Sequence, residues 1–216
     1  MNKEHILFML AIVLSLANIF LLHLNTSITG NVLVSSRVVV LGDCYFTLRP
    51  GWNQVSLCGN ETNYSVKELM KQIEGEYRYV LKWDEPSQKF LVYSPRAANP
   101  EFEYLDYNES FFILFTGSEK EYLGSDVEFG DLNISTTKGW NALPFPYQFN
   151  STIQKVLSYT PSYRYALKWD NVTQRFLIYS PRSAVPEFTV IRMGEGFFLL
   201  TYDKSFVYYN VSYLES

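Results

Sequence analysis

Histidine is nearly absent. The chain has two, His5 and His23, both in or beside an apolar stretch near its start, so everything beyond residue 23 is without an imidazole. That excludes Ser-His-Asp and Cys-His catalysis, HExxH zinc sites and most transition-metal cages from the bulk of the sequence. Basic charge is also short: 18 Lys and Arg stand against 22 Asp and Glu, a formal net charge of -4. Nucleic-acid binding depends on cations that neutralise phosphates, so no nucleic-acid partner is expected. Charged residues make up only 19% against 47% hydrophobic and 17% aromatic, a balance that excludes a disordered chain. The 216 residues suffice for one or two domains with a real core.

The first feature present in strength is an apolar run. Ile6 to Leu22 reads ILFMLAIVLSLANIFLL, interrupted only by Ser15 and Asn18. With His23 and Leu24 it approaches the ~20 residues that a bilayer requires. No Ala-x-Ala cleavage pattern separates it from Asn25, so the expectation is a retained signal anchor within residues 1–30. Residues 6–24 would then serve either membrane insertion or self-assembly.

Asn-x-Ser/Thr sequons begin at Asn25, Asn60, Asn63, Asn108, Asn133, Asn150, Asn171 and Asn210, eight of fourteen asparagines. Chance would give about two, so they are read as N-glycosylation sites. All follow the apolar run, which places the rest of the chain outside the cytoplasm. The expected location is the cell surface, as a single-pass membrane protein with its C-terminal domains outside, or an extracellular filament. Cys44 and Cys58 are the only cysteines. In an oxidising exterior they are expected to form a local disulfide worth up to about 3 kcal/mol.

The remainder repeats itself. Tyr77-Arg78-Tyr79 and Leu81-Lys82-Trp83-Asp84 return at 163–165 and 167–170, Tyr93-Ser94-Pro95-Arg96 at 179–182, Pro100-Glu101-Phe102 at 186–188, and Phe111-Phe112 at 197–198. Gly51-Trp52-Asn53 returns as Gly139-Trp140-Asn141, so all four tryptophans are matched. Two tandem copies of one module are expected, at 36–123 and 124–212. Within a copy, Tyr77, Tyr79, Leu81 and Trp83 alternate with Arg78, Val80 and Lys82, the period of a half-buried strand. A turn and Phe90–Tyr93 complete a hairpin, repeated at 163–169 and 176–179. Further strands are expected at 37–41, 52–57 and 110–115, each with a second-copy partner. A short helix is expected over 65–73 with Ser65 as N-cap and Glu68 completing a capping box, and another over 151–157 capped by Asn150. The fold class is therefore α+β, predominantly β: an N-terminal apolar helix, transmembrane or filament core, then two β-rich modules each carrying one short helix.

The Gly51-Trp-Asn-Gln-Val-Ser-Leu and Gly139-Trp-Asn-Ala-Leu-Pro-Phe-Pro146 segments, followed by a helix, a Tyr-rich strand ending in Asp, a Tyr-Ser-Pro and a Pro-Glu-Phe, resemble the GWNLISLP-type repeat of archaeal and bacterial cell-surface and S-layer-associated proteins. The resemblance implies an exported, non-catalytic envelope module. Cys58 stands where that repeat usually has proline, as Pro146 does, which fits a disulfide private to the first copy. Phe111-Phe112 and Phe197-Phe198 replace the repeat's usual Gly-Tyr-Trp.

The matched carboxylates Asp84 with Asp170 and Glu101 with Glu187 are the candidates for paired-carboxylate glycoside hydrolysis. Their presence in both copies favours structure instead: Asp84 and Asp170 as turn residues, Glu101 and Glu187 as ion-pair partners of Arg96 and Arg182. Asp126, Glu128 and Asp131 could offer oxygens to calcium, but no EF-hand or RTX pattern accompanies them. No catalytic residue, cofactor or metal site is therefore expected. The tyrosines and tryptophans could form a sugar-stacking platform if the face bearing Tyr77, Tyr79 and Trp83 is exposed, whereas burial would make it scaffold. The expected function is a non-enzymatic glycosylated surface protein with a structural, adhesive or assembly role. A filament subunit and a carbohydrate-binding receptor are the alternatives, with envelope proteins or glycans as partners.

Overall fold

The computed structural model describes residues 45–57, 62–123 and 130–215. The apolar run, the strand expected at 37–41, Cys44, Cys58, Asn25 and Asn60 lie outside the described residues. The first half contains β1 (Tyr45–Leu48), β2 (Gly51–Ser56), β3 (Tyr64–Ser65), a helix (Val66–Leu69) continued by a 3-10 turn (Met70–Ile73), β4 (Tyr77–Asp84), β5 (Lys89–Tyr93), β6 (Tyr104–Leu105), β7 (Ser110–Phe115) and β8 (Lys120–Leu123). The second half contains β9 (Leu132–Thr136), β10 (Gly139–Pro144), β11 (Ser151–Thr152), a helix (Ile153–Val156), β12 (Tyr163–Asp170), β13 (Arg175–Tyr179), β14 (Val190–Ile191), β15 (Gly196–Thr201), β16 (Ser205–Tyr209) and a closing helix (Val211–Glu215). The described residues are predominantly β with few, short helices.

Two four-stranded antiparallel sheets carry the architecture, ordered β2-β7-β4-β5 and β10-β15-β12-β13. Two-stranded ladders flank them: β1-β8 and β3-β6 in the first half, β9-β16 and β11-β14 in the second. One face of each sheet packs on its own helix and ladder. In the first half this core holds Leu48, Val66, Met70, Ile73, Val80, Phe111, Ile113 and Tyr122; in the second it holds Ile134, Phe145, Ile153, Val156, Phe197, Leu199 and Tyr209. The other face of each sheet meets the opposite sheet. This explains why β7 (SFFILF) and β15 (GFFLLT) are apolar at nearly every position, since strands covered on both faces lose the polar alternation. Residues Val40–Ser216 form one compact unit.

The expected Tyr alternation is corrected by a bulge. The register steps from Tyr77 opposite Phe115 to Tyr79 opposite Leu114, so Arg78 is the extra residue. A bulge reverses the side-chain parity beyond it. Tyr77 therefore joins the core with Val80, and Tyr79 shares the opposite face with Leu81 and Trp83. The second copy does the same between Tyr163 and Tyr165.

The helix caps also differ from expectation. Ser65 makes no side-chain cap bond. The Val66 amide donates instead to the Glu103 carbonyl, and Glu68 pairs with Lys71. In the second copy the cap is Thr152, which accepts from the Lys155 amide, while Asn150 accepts from the Met193 amide. The short strand bridge before each helix holds the chain in place, so a capping box is not required.

Candidate functional site

The Gly-Trp-Asn motif is a built site with three separate tasks. Asn53 closes the turn before it, donating to the carbonyls of Arg49 (2.7 Å) and Gly51 (3.0 Å) and accepting from the Arg49 amide (2.9 Å). Asn141 does the same with Thr137 and Gly139. Gly51 and Gly139 have φ of +104° and +108°, a region that residues with a Cβ rarely adopt. A Cβ on Gly51 would lie 2.6 Å from Gln174 Oε1, and one on Gly139 the same distance from Gln88 Oε1. Each glycine therefore makes room for a glutamine from the other copy.

Those glutamines join the copies reciprocally. Gln174 accepts from the Trp52 amide (2.8 Å) and donates to the Trp52 carbonyl (3.1 Å); Gln88 accepts from the Trp140 amide (2.8 Å) and donates to the Trp140 carbonyl (2.9 Å). The indole of Trp83 donates to the Trp140 carbonyl (2.9 Å), and that of Trp169 to the Trp52 carbonyl (2.8 Å). Gln88 and Gln174 hold φ of +55° and +54°, strain that persists only where surrounding contacts over-determine it. Because residue i meets j′ while j meets i′, the joint has the form of an isologous two-fold interface within one chain.

Aromatic rings fill the centre. Phe112 and Phe198 stack with centroids 6.2 Å apart. Trp83 meets Phe198 edge to face at 5.4 Å, and Trp169 meets Phe112 at 5.7 Å. Trp52, Trp83 and Trp140 are 4%, 4% and 8% exposed. The Trp83 face is thus covered by the opposite sheet and is not free to stack on a sugar. The copies depart from symmetry where Ser110 and Gly196 meet: a Cβ on Gly196 would fall 2.3 Å from Ser110 Cβ. Ser110 and Gly196 occupy matched positions, and only one of the two can carry a side chain.

Compared with protein families, with curated proteins and with solved structures, the chain matches none.

The matched carboxylates are occupied locally. Asp84 accepts from the Ser87 amide (3.1 Å), and Asp170 from the amides of Val172 and Thr173 (3.3 Å each) and from the Thr173 hydroxyl. Partial burial works to raise the Asp170 pKa, but these hydrogen bonds outweigh it and hold the carboxyl below the usual range. Glu101 and Glu187 accept the Val92 and Ile178 amides at 2.6 and 2.8 Å, and the cationic partner of Glu187 is Arg175 (3.3 Å). They guard edge strands instead of pairing with Arg96 and Arg182 as expected. Lys82 with Glu109 (2.7 Å) and Lys168 with Glu195 (3.0 Å) form matched ion pairs, the first half-buried and the second with its lysine buried. Burial raises the Glu85 pKa, countered in part by its own amide and by that of Ala142 across the joint.

Asp126 and Glu128 lie outside the described residues. Asp131 is pulled below the usual range first by the Tyr208 hydroxyl, then by the Val211 amide. Among the described residues no cluster of three or more His, Cys, Asp or Glu is placed to hold a metal ion, and no helix is long and apolar enough to cross a membrane. Of the sequons, Asn63, Asn108, Asn133 and Asn150 are exposed. Asn210 accepts from the Tyr213 amide. Asn171 faces the joint, its amide nitrogen donating to Thr47 O (3.4 Å) and Asn53 Oδ1 (3.3 Å). Sequence reasoning passed over Gln88 and Gln174, although both sit four residues after their turn Asp in each copy.

Proposed function

We propose that this chain is a non-enzymatic, N-glycosylated cell-surface protein. Its tandem modules act as one structural head for adhesion or assembly, anchored through residues 6–24 with everything after residue 24 outside. The observation that carries this reading is the use of the matched motifs. Gly-Trp-Asn, the turn Asp and its following Gln, and the Pro-Glu-Phe guard all hold turns, strands or copies together. Repeated side chains used in this way are a scaffold's investment, whereas a reaction needs one set of groups free to meet a substrate. The likeness to GWNLISLP-type envelope repeats points the same way, as does the density of sequons beyond the apolar run.

The test uses protein from the native envelope, by N-terminal sequencing, intact mass and electron microscopy of the same fraction. The expected result is a chain that retains residues 6–24, is heavier than its 25.1 kDa polypeptide, and is released only by detergent. Regular filaments would make the apolar run an assembly core. Unmodified protein that is released without detergent would overturn the reading.

A further inference from the structure

We propose that the outward face of the β9-β16 ladder is the seat of an N-glycan carried by Asn133. The inference rests on the glycoprotein reading above. In the ladder Asn133 lies opposite Tyr208 and Ser135 opposite Phe206. Directly opposed residues of an antiparallel pair share a face, with Cβ atoms ~5 Å apart. Ile134, Val207 and Tyr209, on the other face, are buried in the core. The acceptor and hydroxyl residues of this sequon therefore each stand beside an outward aromatic ring.

Phe206 is exposed and Tyr208 half-buried. Phe206 is 42% exposed, and Tyr159, edge to face with Tyr208 at 5.8 Å, is 46% exposed. The Tyr208 hydroxyl bonds to Asp131, which fixes the ring beside Asn133. A sugar's axial C–H groups are weakly positive and meet the negative face of an aromatic ring favourably while covering its apolar area. A glycan leaving Asn133 starts within reach of two such rings.

The first copy supplies an internal control. Its equivalent ladder places Thr47 opposite Glu121, where the second copy has Ser135 opposite Phe206. The first-copy position has no sequon and carries a charge; the second-copy position has a sequon and carries phenylalanine.

The experiment uses native-host protein in four forms: wild type, Asn133→Gln, Phe206→Glu and the double variant. Sequon peptides are weighed by mass spectrometry, melting temperatures are compared, and the protons of the innermost sugar are observed by NMR. Expected are an occupied Asn133, a loss of about 2–4 °C from Phe206→Glu when the glycan is present, and no loss when Asn133→Gln has removed it. The sugar protons are expected upfield in wild type and normal in Phe206→Glu. An equal effect of Phe206→Glu in both backgrounds, with unshifted sugar protons, would overturn the proposal. A bare Asn133 beside other occupied sequons would overturn it alone. If every sequon is bare, the glycoprotein reading falls with it.

Discussion

Gln174 shows how much one side chain holds at the joint. Its amide satisfies both the N–H and the C=O of Trp52, and Trp52 is otherwise sealed from water. Truncating one partner leaves a buried backbone group without a hydrogen bond, which costs roughly 1–3 kcal/mol. Gln174→Ala is therefore expected to lower unfolding free energy by about that amount in urea titrations, with Gln88→Ala matching it through Trp140. A loss below about 0.5 kcal/mol in both would mean the joint does not depend on them. These residues were legible only as matched letters, because a left-handed glutamine reaching into another copy leaves no periodic signal. Asn53 and Asn141 were likewise visible as a motif, but their turn-closing role needed the geometry.

At the level of elements, the strands read well and the ends read poorly. The strands expected at 52–57, 77–83, 90–93 and 110–115 appear at 51–56, 77–84, 89–93 and 110–115, because continuous apolar or alternating runs bounded by turn residues have few other outcomes. The parity of Tyr77 was misread because a bulge at Arg78 is set by pairing with β7, which a single strand's pattern does not encode. The helix caps were misread for a similar reason: a carbonyl from Glu103 serves the amide that Ser65 was expected to cap near. Glu187 makes a prediction at this scale. It occupies the outward amide of edge strand β13, and an uncovered edge is a template for pairing with another chain. Glu187→Ala is expected to produce concentration-dependent association in sedimentation velocity, relieved by Glu187→Gln, which keeps an acceptor. A variant that stays monomeric across concentration would show that the edge is closed by other means.

Across the whole molecule, burial sets how it responds to alkali. Tyr77 is pushed up to about 12 by burial and then by the neighbouring Tyr93, and burial raises Tyr122, Tyr147, Tyr163 and Tyr209 further. An unfolded tyrosine ionises near 10. Above that pH the unfolded chain has released protons that the fold retains, so stability complete below about pH 10 falls as pH rises toward the folded values. Tyrosinate absorbance is expected to appear together with loss of circular dichroism. Normal ionisation of all tyrosines with the fold intact would contradict the burial.

The repetition of motifs was plain in the sequence, but its consequence was not. Two modules in a row read equally well as beads on a string, whereas the reciprocal contacts of Gln88, Gln174, Trp83, Trp169, Phe112 and Phe198 join them. The central claim is that this joint makes one cooperative body, and all four tryptophans lie at it. The most direct measurement is equilibrium unfolding in urea, followed in parallel by tryptophan fluorescence and far-ultraviolet circular dichroism. A single transition with coincident midpoints is expected, shifted as a whole by Phe112→Ala, at a cost of about 3–5 kcal/mol. Tryptophan emission that changes well before the β signal is lost, or two separate transitions of which Phe112→Ala moves only one, would contradict it.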